Sequence, residues 1–113
     1  ITDKFWRPRI ERVQTATLPV CIEQTEVKTG RMRNFEKAAR REGRHEGIYF
    51  DDSDVYKVIE GMAYTLKIKR EPALEQKADA WIDKIAAAQL PDGYLNTYYT
   101  LTGLDKRWTD MEK

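Results

Sequence analysis

The sequence predicts a mainly α fold: an αα-hairpin with aromatic-rich loops and a short extended segment at the N-terminus. Two apolar stripes and the link between them carry this prediction. Val55, Val58, Ile59, Met62, Ala63 and Leu66 recur at spacings of three and four, the pattern of an amphipathic helix running to about Lys69. After Arg70-Glu71, Pro72 suits a first helical position, and Leu74, Ala78, Trp81, Ile82 and Ile85 repeat the pattern to about Gln89. Helices joined by so short a link must run antiparallel. Composition agrees with a folded chain that could form one domain at most. Of 113 residues, 41% are hydrophobic and 35% charged, and 20 Lys and Arg against 19 Asp and Glu give a net charge of +1. That balance argues against a nucleic-acid partner. The residues contain no apolar stretch long enough for a transmembrane helix and no signal-peptide pattern, so no membrane partner is expected.

In chain order, residues 1–30 open with an apolar and aromatic stretch. Pro8 then sits well in a first helical turn, and Ile10, Val13 and Thr17 follow at helical spacing. Leu18, Val20 and Ile22 alternate with a two-residue period around Pro19, which weakens the helical reading there, and Gly30 closes the segment. A short helix is expected from Asn34, as its cap, to about Arg41, followed by a loop containing Gly43 and Gly47. The basic run beginning at Arg31 reads as a solvated face diluted by Glu36 and Glu42. Leu90-Pro91-Asp92-Gly93 is a turn, with Pro second and Gly fourth. Residues 94–113 show no helical stripe and are expected to be irregular or briefly extended, yet they carry Tyr94, Tyr98, Tyr99 and Trp108. Aromatic side chains on loops need a surface to pack on, and one hairpin cannot cover them as well as its own stripes. The chain is therefore expected to be part of a longer polypeptide or to depend on a partner.

Two groups of residues could carry chemistry. Asp51, Asp52, Ser53 and Asp54 stand at the mouth of the first long helix, where Asp52 or Ser53 capping the free N–H groups is the plain explanation. Alternatively, one of these carboxylates faces a pocket and hydrogen-bonds sugar hydroxyls or adjusts a catalytic acid. Gln89, Asp92, Gly93 and Tyr94 follow the second helix. There Asp92 is expected to accept from N–H groups of its own turn. Antiparallel helices bring both groups to one end of the hairpin, the geometry of a pocket rim.

No metal-binding spacing joins the single Cys21 to the single His45, and neither stands in a nucleophile-and-base pattern. Cys21 is expected to be a small buried residue and His45 an exposed one. Phosphate-cradling glycine motifs are absent.

The stretches ITDKFWRPR, GIYFDDSDVYKVIEGMAYTL, AAQLPDGYLNTYYTL and RWTDMEK resemble the opening of the β-L-arabinofuranosidase glycoside hydrolases. The similarity covers nearly the whole chain, and DSDVYK followed by QLPDGYLNTYY is specific as a pair. The resemblance implies an (α/α)6 toroid, with residues 1–113 the N-terminal part of one catalytic domain and residues 1–7 open to assignment to an accessory β region. It also implies retaining hydrolysis of β-linked L-arabinofuranose, with a zinc-bound cysteine thiolate as nucleophile and a glutamate as acid/base. Those catalytic and zinc-binding positions have no counterpart here, since in the family they lie downstream. Residues 1–113 alone are thus expected to be inactive and to hold no cofactor. Asp52, Asp54, Gln89, Asp92 and Tyr94 match the shared motifs as candidates for the pocket rim, with structural support the expected role of most.

The sequence departs from the commoner pattern at Val58, where many relatives carry Trp, and at Leu90, where a polar residue is frequent. Plant-glycan degradation suits a bacterial enzyme, secreted or periplasmic, while a zinc thiolate also fits a reducing cytoplasm. The expected partners are a carbohydrate substrate and the remainder of the barrel. The competing reading is a non-catalytic helical module that binds carbohydrate or protein through Tyr94, Tyr98, Tyr99 and Trp108. Other toroid enzymes, such as polysaccharide lyases or unsaturated glucuronyl hydrolases, fit the DSDVYK segment less well.

Overall fold

A helical rod over residues 6–28 leads the chain in the computed structural model, which describes residues 1–109. Helices α1 (Trp6–Arg12) and α2 (Leu18–Glu23) are each followed by a single π turn, Val13–Thr17 and Gln24–Lys28. Asp3 starts the rod by accepting from the Phe5 and Trp6 N–H groups at 2.9 and 2.5 Å. The expected extended segment shrinks to residues 1–3, because the helix already includes Trp6.

The rod also passes straight through Pro19, where the two-residue alternation suggested otherwise. Proline lacks an N–H and its ring crowds the carbonyl four residues back. The π turn just before it widens the helix, with the Leu18 N–H bonding to Val13 O, and the helix continues past the proline.

Helix α3 (Arg31–Arg40) begins three residues earlier than expected. Asn34 does not cap it but lies fully buried within it, beside Met32, Phe35 and Ala38. The basic run thus has a solvated face and a core face, alternating at helical period. Helices α4 (Asp52–Ile68) and α5 (Pro72–Ala88) form the antiparallel hairpin that the stripes foretell. Val55, Met62, Ala78 and Trp81 are buried, Val58, Ile59 and Leu66 half-buried, and Ala63 and Ile82 exposed.

The core lies where α3, α4 and α5 meet, closed on one side by Leu18 of α2. Glu26 fastens the rod to α5 by accepting from Lys77 Nζ at 2.6 Å and Trp81 Nε1 at 3.3 Å. At the turn, Gly93 N–H bonds to Leu90 O at 2.8 Å, and the Gly93 φ of +88° suits glycine alone among common residues.

Residues 94–109 are more ordered than expected. Asn96 caps a helix α6 (Thr97–Thr102), its side-chain oxygen accepting from Tyr99 N–H at 2.9 Å, and a 3-10 turn spans Leu104–Lys106. Six residues are too few to repeat an apolar stripe, so periodicity was blind to this helix. Cys21 is half-buried, and so is His45, which the charged loop around it had marked as exposed. The last four residues of RWTDMEK lie outside the described residues.

Candidate functional site

The C-terminal end of α5 and the N-terminal ends of α4 and α6 gather at one end of the bundle. The deciding link is Asp52. Its Oδ2 accepts from Thr97 N–H at 2.7 Å and its Oδ1 from Thr97 Oγ1 at 2.5 Å, across 45 residues of sequence. The two residue groups lie at one end of the hairpin, as its antiparallel course requires, since the segment after α5 is bolted to the mouth of α4.

The capping explanation for the acidic cluster fails, because no side chain accepts from the free N–H groups of α4. Asp51, buried, turns back to take the Ile48 N–H on Oδ2 at 2.9 Å, and its Oδ1 faces Arg31 Nη2 at 3.2 Å. Asp54 turns toward Arg31 Nε at 2.9 Å and Lys57 Nζ at 3.2 Å. Arg31 thus bridges two carboxylates and draws α3 onto the start of α4.

These surroundings separate the acids electrostatically. Burial pushes the Asp52 carboxyl above the usual aspartate range, although both Thr97 hydrogen bonds pull the other way. At Asp54, burial is outweighed by the hydrogen bonds from Lys57 and Arg31, which hold it below that range. Burial raises the Tyr56 phenol to about 12, helped by the Asp52 charge.

Of the rim candidates after α5, Gln89 donates from Nε2 to Gly93 O at 2.8 Å and braces the turn. Asp92 Oδ1 accepts from Tyr94 N–H at 3.1 Å, as expected of a turn aspartate, while its Oδ2 accepts from Arg107 Nη1 at 2.8 Å. The Tyr94 N–H and the Arg107 guanidinium hold the Asp92 carboxyl below its ordinary range. Tyr94 packs edge-on against Trp108 at 5.2 Å, and partial burial lifts its phenol above the ordinary range. The structure therefore ties Asp52 to this loop, groups Asp92 with Tyr94 and Arg107, and turns Asp54 away to Arg31.

Sequence reasoning missed the other half of the rim. Asn34 holds the loop before α4 by accepting from Glu46 N–H at 2.9 Å and donating to Glu46 O at 2.8 Å. Its Nδ2 also meets His45 Nε2 at 3.2 Å, and the His45 ring lies edge-on to Tyr98 at 5.4 Å. Burial keeps the imidazole below its usual range, against the pull of the Asp52 and Asp51 charges. Only an interior position for Asn34, away from any cap, could have signalled this. Thr97 stands in the quoted LNTYY stretch, but nothing local points from it to Asp52.

As chemistry, this end of the bundle offers fixed carboxylates, an imidazole and several aromatic edges, a surface suited to polyhydroxylated ligands. Among the described residues no three His, Cys, Asp or Glu side chains gather where a metal ion could be held.

Comparison with known proteins gives this rim its context. The family model for the β-L-arabinofuranosidase GH127 catalytic domain matches residues 1–113. The chain belongs to that family. A solved GH127 β-L-arabinofuranosidase from Geobacillus stearothermophilus T6 is 40% identical, with a TM-score of 0.90 over 96% of this chain and 18% of its own. A second solved GH127 β-arabinofuranosidase is 40% identical, with a TM-score of 0.82 over 89% of this chain and 16% of its own. A non-reducing end β-L-arabinofuranosidase from Bifidobacterium longum subsp. longum is 32% identical over 89% of this chain and 18% of that protein. The chain thus spans under a fifth of the length of each of these three relatives. Its helices are consistent with the opening of the (α/α)6 toroid that the sequence motifs implied.

Proposed function

We propose that these residues form the N-terminal part of the catalytic domain of a glycoside hydrolase that releases terminal β-L-arabinofuranosyl groups from glycans with retention of configuration. The observation that carries this reading is the GH127 catalytic-domain match along the whole chain, backed by helices that superpose on an arabinofuranosidase at a TM-score of 0.90. The part played here is architectural. Asp52 and Thr97 fix the loop after α5, Asn34 fixes the loop before α4, and between them these loops form one sector of the pocket wall.

Arabinose hydroxyls suit such a wall, because fixed acceptors and neutral donors hydrogen-bond polyols without reorganising. The nucleophile, the acid/base and any zinc belong, in this proposal, to residues outside this chain. Cys21 flanks a cleft with Gln24, Thr25 and Val58, and His45 packs on Asn34 and Tyr98, so the described residues do not fit a thiolate-rich zinc site.

The test is hydrolysis of 4-nitrophenyl β-L-arabinofuranoside by the whole protein, with NMR of the sugar first released. Liberation of the β-anomer, with none from the α-linked substrate, is the expected result. Inactivity of the whole protein on β-L-arabinofuranosides, or turnover by residues 1–113 alone, refutes the proposal.

A further inference from the structure

A cleft of about 320 Å³ opens on the same end of the bundle, lined by Arg41, Leu90, Pro91, Asp92, Leu104 and Arg107. Its floor is aliphatic. Its charged lining is two guanidiniums and one carboxylate, a net charge of 2 − 1 = +1. Arg107 spends Nη1 on Asp92 Oδ2 at 2.8 Å and lies 5.1 Å from the Tyr94 ring centre. Its Nε and Nη2, and the entire Arg41 guanidinium, have no ion-pair partner among the described residues.

The backbone singles out the same place. Among the described residues, only Arg41 (φ +55°) and Trp108 (φ +68°) are non-glycine residues with left-handed φ. Arg41 ends α3 at a position where glycine would fit without strain, and ending a helix requires no guanidinium. Trp108 follows Arg107 directly and is 70% exposed, its ring lying against Tyr94 beside the cleft. A strained arginine lining a cleft, a second arginine with free donors and a bare indole alongside together make a recognition surface for an acidic sugar.

We propose that this cleft binds the carboxylate of a uronic acid residue in the glycan, with Arg41 and Arg107 as its donors and Trp108 packing on the sugar ring. The choice of a glycan rests on the glycosidase reading above. A monoanion matches the net charge, whereas a phosphate dianion would be driven against Asp92.

The test is calorimetric titration of the whole protein with trigalacturonate and with the neutral galactotriose. Trigalacturonate should bind at least tenfold more tightly, and the difference should shrink as salt is raised. Arg41→Gly removes the guanidinium and the left-handed strain together, so it should hold or raise the melting temperature while weakening trigalacturonate binding about tenfold. Arg41→Lys, which keeps the charge but not the fork, should retain part of the affinity.

Equal affinity for the two saccharides, unchanged binding by Arg41→Gly, or equally tight binding of inorganic phosphate each overturns the proposal. Arabinofuranoside hydrolysis measured on the same preparation separates the two claims. Hydrolysis without uronate selectivity refutes the cleft alone, while uronate selectivity without hydrolysis refutes the glycosidase reading and leaves the anion cleft standing.

Discussion

Asp52 is a buried carboxylate whose two oxygens are both occupied by Thr97. Removing one donor leaves a charged acceptor under-satisfied where water cannot replace it. Thr97→Val keeps the shape and the backbone bond but deletes the hydroxyl, so it should cost about 2 kcal/mol of stability, read from urea unfolding at pH 7. It should also lift the Asp52 pKa further, because a hydrogen bond opposing the effect of burial is gone. A loss under about 0.5 kcal/mol, the size of an ordinary surface change, would show that the clamp is not what holds the loop. This clamp was illegible in the sequence for a plain reason. Helix-start preferences are local and make an aspartate before an apolar stripe look like a cap, whereas the true partner lies 45 residues away. Asp92 shows the converse, since its bond to Tyr94 N–H is a two-residue affair and was readable from Pro-Asp-Gly alone.

Among the elements, those with long stripes were the legible ones. α4 and α5 stand within one residue of where periodicity ends them, because each presents several turns of apolar residues to one core. The failures have identifiable causes. Pro19 disguised a helix that survives by widening into a π turn, and the charged residues of α3 masked a buried face of Met32, Phe35 and Ala38. Trp81 joins these elements: its ring sits in the core and its Nε1 reaches Glu26 on the rod. Trp81→Ala should therefore cost about 3–5 kcal/mol, chiefly from the cavity. Trp81→Phe should cost much less, since it keeps an aromatic ring and leaves Glu26 paired to Lys77. Melting of the two variants beside the parent protein checks the order, and equal losses would mean that the Glu26 bond, not the packing, dominates.

Two buried or half-buried groups at one end of the bundle, His45 and Asp52, couple folding to pH. Burial holds His45 below its ordinary value of 6.5 in the folded state, so the unfolded chain binds that proton more readily as pH falls. Its contribution therefore favours folding above about pH 6.5 and is lost progressively as pH falls through 6.5 toward the depressed folded pKa. Asp52 acts in the opposite sense at lower pH. With its folded pKa above 3.8, it makes stability fall as pH rises through the interval from 3.8 to the raised value. Replacing His45 with Gln should flatten the loss of melting temperature between pH 7 and pH 5.5, and an unchanged slope would remove His45 from the account.

Shape leads to a further expectation for the molecule as a whole. The Cα radius of gyration is 16.3 Å, with extents of 54 × 28 × 25 Å, against about 13 Å for a compact domain of this length. The excess comes with the long rod at residues 6–28, and the elongated arrangement leaves Val20, Val27, Tyr64 and Ile68 each more than half exposed. Scattered apolar residues are ordinary on a surface, but bulky ones on several helices of so small a core favour association. The loop aromatics are mostly covered within the chain, Tyr99 buried and Tyr94 and Tyr98 half-buried with only Trp108 of the four exposed, so it is these apolar helix faces that point to packing against further protein. Produced alone, residues 1–113 should therefore bind a hydrophobic dye and elute in light-scattering chromatography as associated species. A monodisperse, dye-free monomer that also binds glycan would reverse that conclusion, because a hairpin stable by itself is what the non-catalytic binding module requires.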